Sequence, residues 1–332
     1  MLAEQGVGLR ALKRYERAVD AFNDSLELSP DDPATLAARG LTLALAGRPL
    51  DALVDFNRSL EILPNQPTTL NDRGVACREL GRYEDALADL DRAIEVGDDD
   101  PRTLNNRGTV LHAMGRLEFA LSDFDRSLEL RPGHPVTLSN RGVTLHALGR
   151  LEDALSDFVV SLQKRPDSSQ TLHNRAAALE RLERYDAALA DLNRAARMAP
   201  SEHTIFNSRG VVLARLGRYQ QALADFDRAL TLKPDDPDIL NNRGVAKRRL
   251  GLNQEAIIDF DRSLGVRPAE ADVLFNRGAV FDEMESHAEA LADYNRSVEL
   301  RADDGGVLSR RGVVLAKLDR LEEALTDFDR SL

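Results

Sequence analysis

The strongest constraint on the fold of this chain is a strict internal repeat of 34 residues. The tripeptide Asn-Arg-Gly begins at Asn106, Asn140, Asn242 and Asn276, always a multiple of 34 residues apart. Arg-Gly pairs with the same phase occur elsewhere, and ten repeats tile the 332 residues without insertion or deletion. Such a period predicts a single array of stacked units over 1–332. The repeats are 1–32 (incomplete), 33–66, 67–100, 101–134, 135–168, 169–202, 203–236, 237–270, 271–304 and 305–332 (incomplete).

Each repeat has the pattern of two helices separated by a turn. In 101–134 the first helix is predicted from about Arg102 to Met114 and the second from about Glu118 to Leu130. Apolar residues in both segments follow helical spacing rather than the alternation of a strand. A glycine after the first helix and a proline after the second suit helix ends. The sequence therefore predicts an all-α fold.

The repeated positions resemble the tetratricopeptide repeat family along the whole chain. With the glycine of Arg-Gly as position 8 of its repeat, position 8 is Gly in nine repeats, and position 20 is Ala in all ten. Position 24 is Phe, Tyr or Leu, and position 27 is Ser or Ala. The resemblance implies a right-handed α-solenoid of tandem helix-turn-helix repeats whose first helices line a concave groove. Small residues at 8 and 20 allow close helix approach, and position 24 is expected to wedge between neighbouring repeats.

Positions 7 and 23 depart from the family pattern. Position 7 is Arg and position 23 is Asp in the same nine repeats, whereas the first repeat has Gln5 and Ala21. If the pair joined neighbouring repeats, Arg39 would face Ala21. We therefore predict an ion pair within each repeat, the alternative being solvated charges that were copied by duplication.

The groove face of the first helices is rich in asparagine. The resemblance implies that positions 2, 5, 6, 9, 12 and 13 face the groove. Because its amide both donates and accepts, a row of Asn suits the backbone of an extended peptide, as in the similar repeat domain of O-linked N-acetylglucosamine transferases. The alternative is one helix-starting Asn copied by duplication. The candidates at position 6 are Asn106, Asn140, Asn174, Ser208, Asn242 and Asn276, and those at position 5 are Asn71, Asn105, Asn207 and Asn241.

Four arginines form a predicted basic patch at positions 12 and 13. In a chain with net charge -12, such a patch would attract an acidic peptide or a carboxylate. Solvated helix ends are the alternative. The carboxylate clamp of this family is disfavoured because position 9 is apolar or Thr. The patch consists of Arg181, Arg215, Arg248 and Arg249.

Motifs for catalysis, cofactors and metals are missing from the sequence. It has no phosphate-binding loop, no His-Glu-x-x-His and no Gly-x-Ser-x-Gly. His112, His146 and His173 are expected to be ordinary groove residues, a metal site being the alternative. Asp98, Asp99 and Asp100 suggest a solvated loop rather than a calcium site. We expect no enzyme activity, no cofactor and no metal.

Charge and hydropathy limit the classes of partner that this chain is expected to bind. The acidic excess, 56 Asp and Glu against 44 Lys and Arg, disfavours nucleic-acid binding. No stretch approaches the length of a membrane helix, and the start of the chain is not a secretory signal. Cys77 is the only cysteine, which indicates a reducing, cytoplasmic setting.

The predicted function is binding of a partner protein or peptide in the groove. The alternatives are a self-associating scaffold and the substrate-recognition arm of a larger enzyme, such as a glycosyltransferase. Without a polar capping helix, Leu325, Phe328 and Leu332 should be partly uncovered, and so should Leu2 and Leu9 at the other end. The chain is therefore expected to be a fragment of a longer array or to pair end to end.

Overall fold

Every regular element in the described part of the protein is helical. The computed structural model describes residues 1–97 and 99–332, and these contain twenty α-helices and no strand. The all-α prediction is confirmed. The predicted helices of repeat 101–134 are observed at Pro101–Ala113 and Leu117–Leu130, within one residue of expectation.

The helices fall into two compact units, the N-terminal half Met1–Pro166 and the C-terminal half Asp167–Leu332. Consecutive helices of one repeat pack against each other in both halves. That all ten repeats form one array stays a prediction. The N-terminal half contains α1 Leu2–Ala11, α2 Tyr15–Leu28, α3 Pro33–Leu45, α4 Pro49–Ile62, α5 Pro67–Glu79, α6 Tyr83–Val96, α7 Pro101–Ala113, α8 Leu117–Leu130, α9 Pro135–Ala147 and α10 Leu151–Lys164. The C-terminal half contains α11 Ser169–Arg181, α12 Tyr185–Met198, α13 His203–Arg215, α14 Tyr219–Leu232, α15 Pro237–Arg249, α16 Asn253–Val266, α17 Ala271–Glu283, α18 His287–Leu300, α19 Gly305–Lys317 and α20 Leu321–Ser331.

The close approach of the two helices in a repeat depends on position 8. A Cβ atom added to Gly142 would lie 2.7 Å from Cε1 of Phe158 at position 24. Phe158 and Ala154 are fully buried beside it. The aromatic ring thus packs on the glycine of its own repeat, a contact that the expected wedge between neighbouring repeats did not include. Position 8 must therefore be small for the hairpin to close.

Polar groups fix the start of the first helices. Asp32 and Asp236 cap α3 and α15 by accepting hydrogen bonds from backbone N–H groups. The serine at position 27 donates to the carbonyl at position 1 of its repeat, as Ser161 does to Pro135 over 2.7 Å. The second helix is in this way tied to the start of the first, which positions the groove residues.

The residues expected to be uncovered at the two ends differ in exposure. Leu325 is 62% exposed and Leu332 is fully exposed, as expected. Phe328, Leu2 and Leu9 are half-buried. Pairing through these surfaces stays a prediction.

Candidate functional site

The predicted ion pair lies within each repeat. In 135–168, Arg141 donates through Nε and Nη2 to the two carboxylate oxygens of Asp157, both over 2.7 Å. Asp157 is buried, and its hydrogen bond raises the pKa of Arg141 above the usual value. The prediction is confirmed in nine repeats. The pairs are Arg39–Asp55, Arg73–Asp89, Arg107–Asp123, Arg141–Asp157, Arg175–Asp191, Arg209–Asp225, Arg243–Asp259, Arg277–Asp293 and Arg311–Asp327.

The same arginines also link neighbouring repeats, which the sequence analysis missed. The remaining nitrogen, Nη1, donates to the side chain at position 25 of the preceding repeat, as Arg141 does to Asp125 over 2.6 Å. Elsewhere the acceptor is the amide of an asparagine, as in Arg209 to Asn193 over 3.0 Å. At position 25 of 135–168 the sequence has Val159, which carries no acceptor. Arg141 on α9 is therefore a structural residue that connects α9 with α10 and with α8.

The asparagines at positions 5 and 6 are hydrogen-bonded to one another between repeats. Nδ2 at position 6 donates to Oδ1 at position 5 of the preceding repeat over 2.8–3.1 Å. We call these residues the amide row. Its pairs are Asn106 with Asn71, Asn140 with Asn105, Asn242 with Asn207, and Asn276 with Asn241.

Two further predicted row positions have other partners. His173 at position 5 contacts the hydroxyl of Ser208 at position 6 of the next repeat, at 2.8 Å. Asn174 accepts through Oδ1 from Nε2 of Gln170 over 2.9 Å. The hydroxyl and imidazole thus replace one amide pair of the C-terminal half.

The direction of these bonds determines what the row offers to a ligand. Because position 6 donates and position 5 accepts, Asn105 and Asn241 keep their Nδ2 donors, while Asn140 and Asn276 keep their Oδ1 acceptors. These groups are half-buried. Donors and acceptors therefore occur together at successive repeats of each half.

An apolar strip accompanies the amide row. Position 9 is one helical turn from positions 5 and 6 and lies on the same helix face. Val143 in the N-terminal half and Val211 and Val245 in the C-terminal half occupy it and are half-buried. The face of the first helices that carries positions 5, 6, 9, 12 and 13, the groove face, thus combines amides with partly exposed apolar side chains.

The four predicted arginines are not a purely basic patch. Arg248 donates to Glu283 over 2.6 Å, and Nε of Arg215 lies 3.8 Å from Glu180. Arg181 and Arg249 are exposed at the ends of α11 and α15. Glutamates at the same positions of neighbouring repeats thus balance part of the charge, which the sequence analysis did not consider.

His112 and His173 have ordinary hydroxyl partners. His112 contacts the hydroxyl of Thr144 through Nδ1 at 3.0 Å, and burial lowers the pKa of both His112 and His173. The part of the chain that the structure describes contains no group of three side chains able to hold a metal. Asp99 pairs with Arg126, Asp100 caps α7, and Asp98 lies outside the described residues.

None of the helices in residues 1–97 and 99–332 has both the length and the apolar character that crossing a bilayer requires.

Known families match most of the chain. The tetratricopeptide repeat description fits residues 4–67, 173–237 and 241–307 in one version and residues 99–167 in another. A third version, described as TPR repeat, fits residues 74–115. The first version alone spans more than half of the chain. No curated protein matches this chain.

Solved structures share the fold at low identity. The APC/C hetero-tetramer Cut9–Hcn1 aligns at 14% identity with a TM-score of 0.56 over 100% of this chain and 92% of that chain. A repeat protein from Parabacteroides merdae aligns at 19% identity with a TM-score of 0.58, over 75% and 98%. A monomeric IFIT1 mutant with m7Gppp-AAAA aligns at 14% identity with a TM-score of 0.63, over 98% and 79%.

Proposed function

The chain belongs to the tetratricopeptide repeat family and is a protein-interaction module, and we propose that its groove face binds a partner peptide in extended form. The amide row is the observation that carries this proposal. Its unused donors and acceptors match the alternating N–H and C=O groups of a peptide backbone. Catalysis and a cofactor form no part of the proposed function.

The contacts of the amide row support a binding role rather than a helix-starting one. A helix-starting Asn accepts from backbone N–H groups of the first turn. Asn140 instead donates to Asn105 of the preceding repeat. The link holds both amides in one orientation, so a ligand would meet groups whose rotamers are already fixed.

The apolar strip and the arginines would add side-chain selectivity. Apolar side chains of the peptide would cover the half-exposed Val143, Val211 and Val245. Arg249 would attract acidic side chains, whereas Arg248 is already held by Glu283 and Arg215 lies beside Glu180. We therefore propose an amphipathic partner with acidic residues. The single cysteine, Cys77, is buried and suits a cytoplasmic setting.

Peptides selected from a random library against the wild-type chain provide the test. Asn106→Ala, Asn140→Ala and Asn276→Ala in one variant should weaken binding of a selected peptide by about 1 kcal/mol per lost bond, measured by calorimetry. Urea unfolding of the variant should change little, because better helix formation by Ala offsets the lost amide links.

A matched control removes exposed polar groups from the second helices. Ser122→Ala, Ser156→Ala and Gln221→Ala should leave peptide affinity at the wild-type value, since these residues lie off the groove face. Equal affinities for the amide-row variant, the control and the wild type would contradict the proposal.

A further inference from the structure

A small cavity opens beside the amide row in the N-terminal half. Its volume is about 100 Å³. The residues that matter for its chemistry are Arg102, Asn105, Asn106, Arg131, His134 and Thr137. The described residues that line it include no carboxylate. An unbalanced group of basic side chains is unexpected in a chain with net charge -12.

Equivalent positions in the C-terminal half are neutralised internally. Arg267, at position 31 like Arg131, pairs with Asp238 at position 2 over 2.6 Å and with Glu270 at position 34 over 3.0 Å. Arg301, also at position 31, pairs with Asp272 at position 2.

In repeat 101–134 the two acidic positions are occupied by nitrogen-bearing side chains. Arg102 is at position 2 and His134 is at position 34. Arg131 therefore lines the cavity with a second cation and an imidazole, whereas Arg267 pairs with two carboxylates. Arg102 has an acidic partner outside the cavity: Nη2 of Arg102 lies 3.7 Å from Oδ1 of Asp72. The described residues give Arg131 no ion pair. An anion in the cavity would supply the missing negative charge.

His134 presents a donor even when it is neutral. The threonine at position 3 donates its hydroxyl to the capping residue in other repeats, as Thr103 does to Asp100 over 3.0 Å. Thr137 contacts Nδ1 of His134 in the same arrangement at 3.0 Å. If Thr137 donates as Thr103 does, Nδ1 is the acceptor and the ring proton lies on Nε2. Burial and the charge of Arg131 lower the pKa of His134, which keeps this neutral form at pH 7.

We propose that this cavity is an oxyanion-binding site in which Arg102, Arg131, Nε2 of His134 and Nδ2 of Asn105 contact one carboxylate or phosphate group. Its volume equals about three waters, which is the scale of one such group. Because Asn105 and Asn106 belong to both the cavity and the amide row, the group would be an acidic or phosphorylated side chain of the bound peptide. That last step rests on the proposed function, whereas the site itself does not.

Small anions test the site without any peptide. Sodium phosphate and sodium acetate are titrated separately into the full chain at constant ionic strength, and the imidazole signals of His134 are followed by NMR. We expect a saturable shift with at least one anion, and the tighter-binding anion identifies the source of the oxyanion. If neither anion gives a saturable shift, the proposal is overturned.

Two variants separate the site from general electrostatics. Arg131→Gln should weaken the bound anion by roughly tenfold or more, because a charge-assisted contact is lost. Arg267→Gln, at the equivalent position of the C-terminal half, should leave the affinity unchanged. Equal affinity of Arg131→Gln and wild type would also overturn the site. Anion binding that persists while the amide-row variant retains full peptide affinity would remove the proposed function but leave the site standing.

Discussion

The two halves of the molecule share one framework but differ at the edges of their groove faces. At the ends of the first helices, the C-terminal half carries opposite charges in contact, such as Lys317 with Asp282 over 2.6 Å. The corresponding positions of the N-terminal half are mostly uncharged, as at Leu45, His112 and His146. The exceptions are Arg10, Arg78 and Glu79.

The starts of the first helices show the reverse difference. There the C-terminal half is neutralised, as in the pairing of Arg267 with Asp238, whereas the N-terminal half leaves Arg102 and Arg131 together. Framework positions 7, 8, 20 and 23 stay nearly constant through both halves. The comparison indicates that the framework determines the fold, and we propose that the edges determine which ligand each half accepts.

Removing a buried carboxylate should have the largest effect and should differ between the halves. Among the described residues, Arg141 is the single cation paired with Asp157. Asp259, in contrast, is paired with both Arg243 and Lys247. Arg141 would then keep only the exposed Asp125 as an acidic partner, so Asp157→Leu should lower the free energy of unfolding by about 3–5 kcal/mol. Asp259→Leu should lower it by more, because two cations, Arg243 and Lys247, lose their buried acceptor. Urea unfolding measures both.

The double variant provides the control for this comparison. Arg141→Leu with Asp157→Leu should recover much of the loss, because no unpaired charge remains. Additive effects of the two single substitutions would mean that the pair is solvated and that the framework does not depend on it.

The small residue at position 8 gives the next largest effect. Gly142 faces Phe158 in the N-terminal half, whereas one repeat of the C-terminal half has Ala176 at position 8 and Leu192 at position 24, both buried. Gly142→Ala should lower the free energy of unfolding by about 1–3 kcal/mol, because the added Cβ collides with the ring. Combining it with Phe158→Leu should cost less than the sum of the two single changes. A Gly142→Ala variant as stable as wild type would contradict the packing account.

A pH effect at position 24 is expected in the C-terminal half, and it is absent at neutral pH. Tyr294 occupies position 24 of its repeat, where Phe158 stands in the N-terminal half. Its hydroxyl has no hydrogen-bond partner among the described residues, and burial raises the pKa of Tyr294 to about 12. The folded state therefore holds the proton more tightly than the unfolded chain, whose tyrosine pKa is about 10. Below pH 10 the pKa shift of Tyr294 contributes nothing to the pH dependence of the free energy of unfolding. Between pH 10 and 12 the free energy of unfolding should fall by up to about 1.4 kcal/mol per pH unit.

Tyr294→Phe supplies the reference for that measurement. The difference between wild type and this variant should be flat below pH 10 and should grow above it, which separates the tyrosine from other groups that titrate at high pH. A difference that stays constant from pH 8 to 12 would contradict the burial of an ionisable hydroxyl.

The sequence was sufficient for the framework because the repeat gives many observations of each position. The absence of both Arg and Asp from the first repeat was enough to predict the pair within one repeat. Helix bounds followed from the spacing of apolar residues and from Gly and Pro, which act locally.

Contacts between repeats could not be predicted in the same way. The bonds from Arg141 to Asp125 and from Asn140 to Asn105 depend on how far one hairpin is displaced from the next, a quantity that no single repeat encodes. The acids beside Arg215 and Arg248 were missed because the four arginines were considered without the residues of neighbouring repeats. A scan for complementary residues about 16 and 35 positions apart would have found both kinds of link.

The most direct test of the account follows the side-chain amides of the groove face during peptide binding. In the chain labelled selectively at asparagine, saturating amounts of a selected peptide should shift the Nδ2 signals of Asn105 and Asn241. The signals of Asn23 and Asn193, whose amides are held by Arg39 and Arg209, should stay in place. If the peptide saturates the chain while Asn105 and Asn241 remain unshifted, the amide row is a link between repeats and not a binding surface.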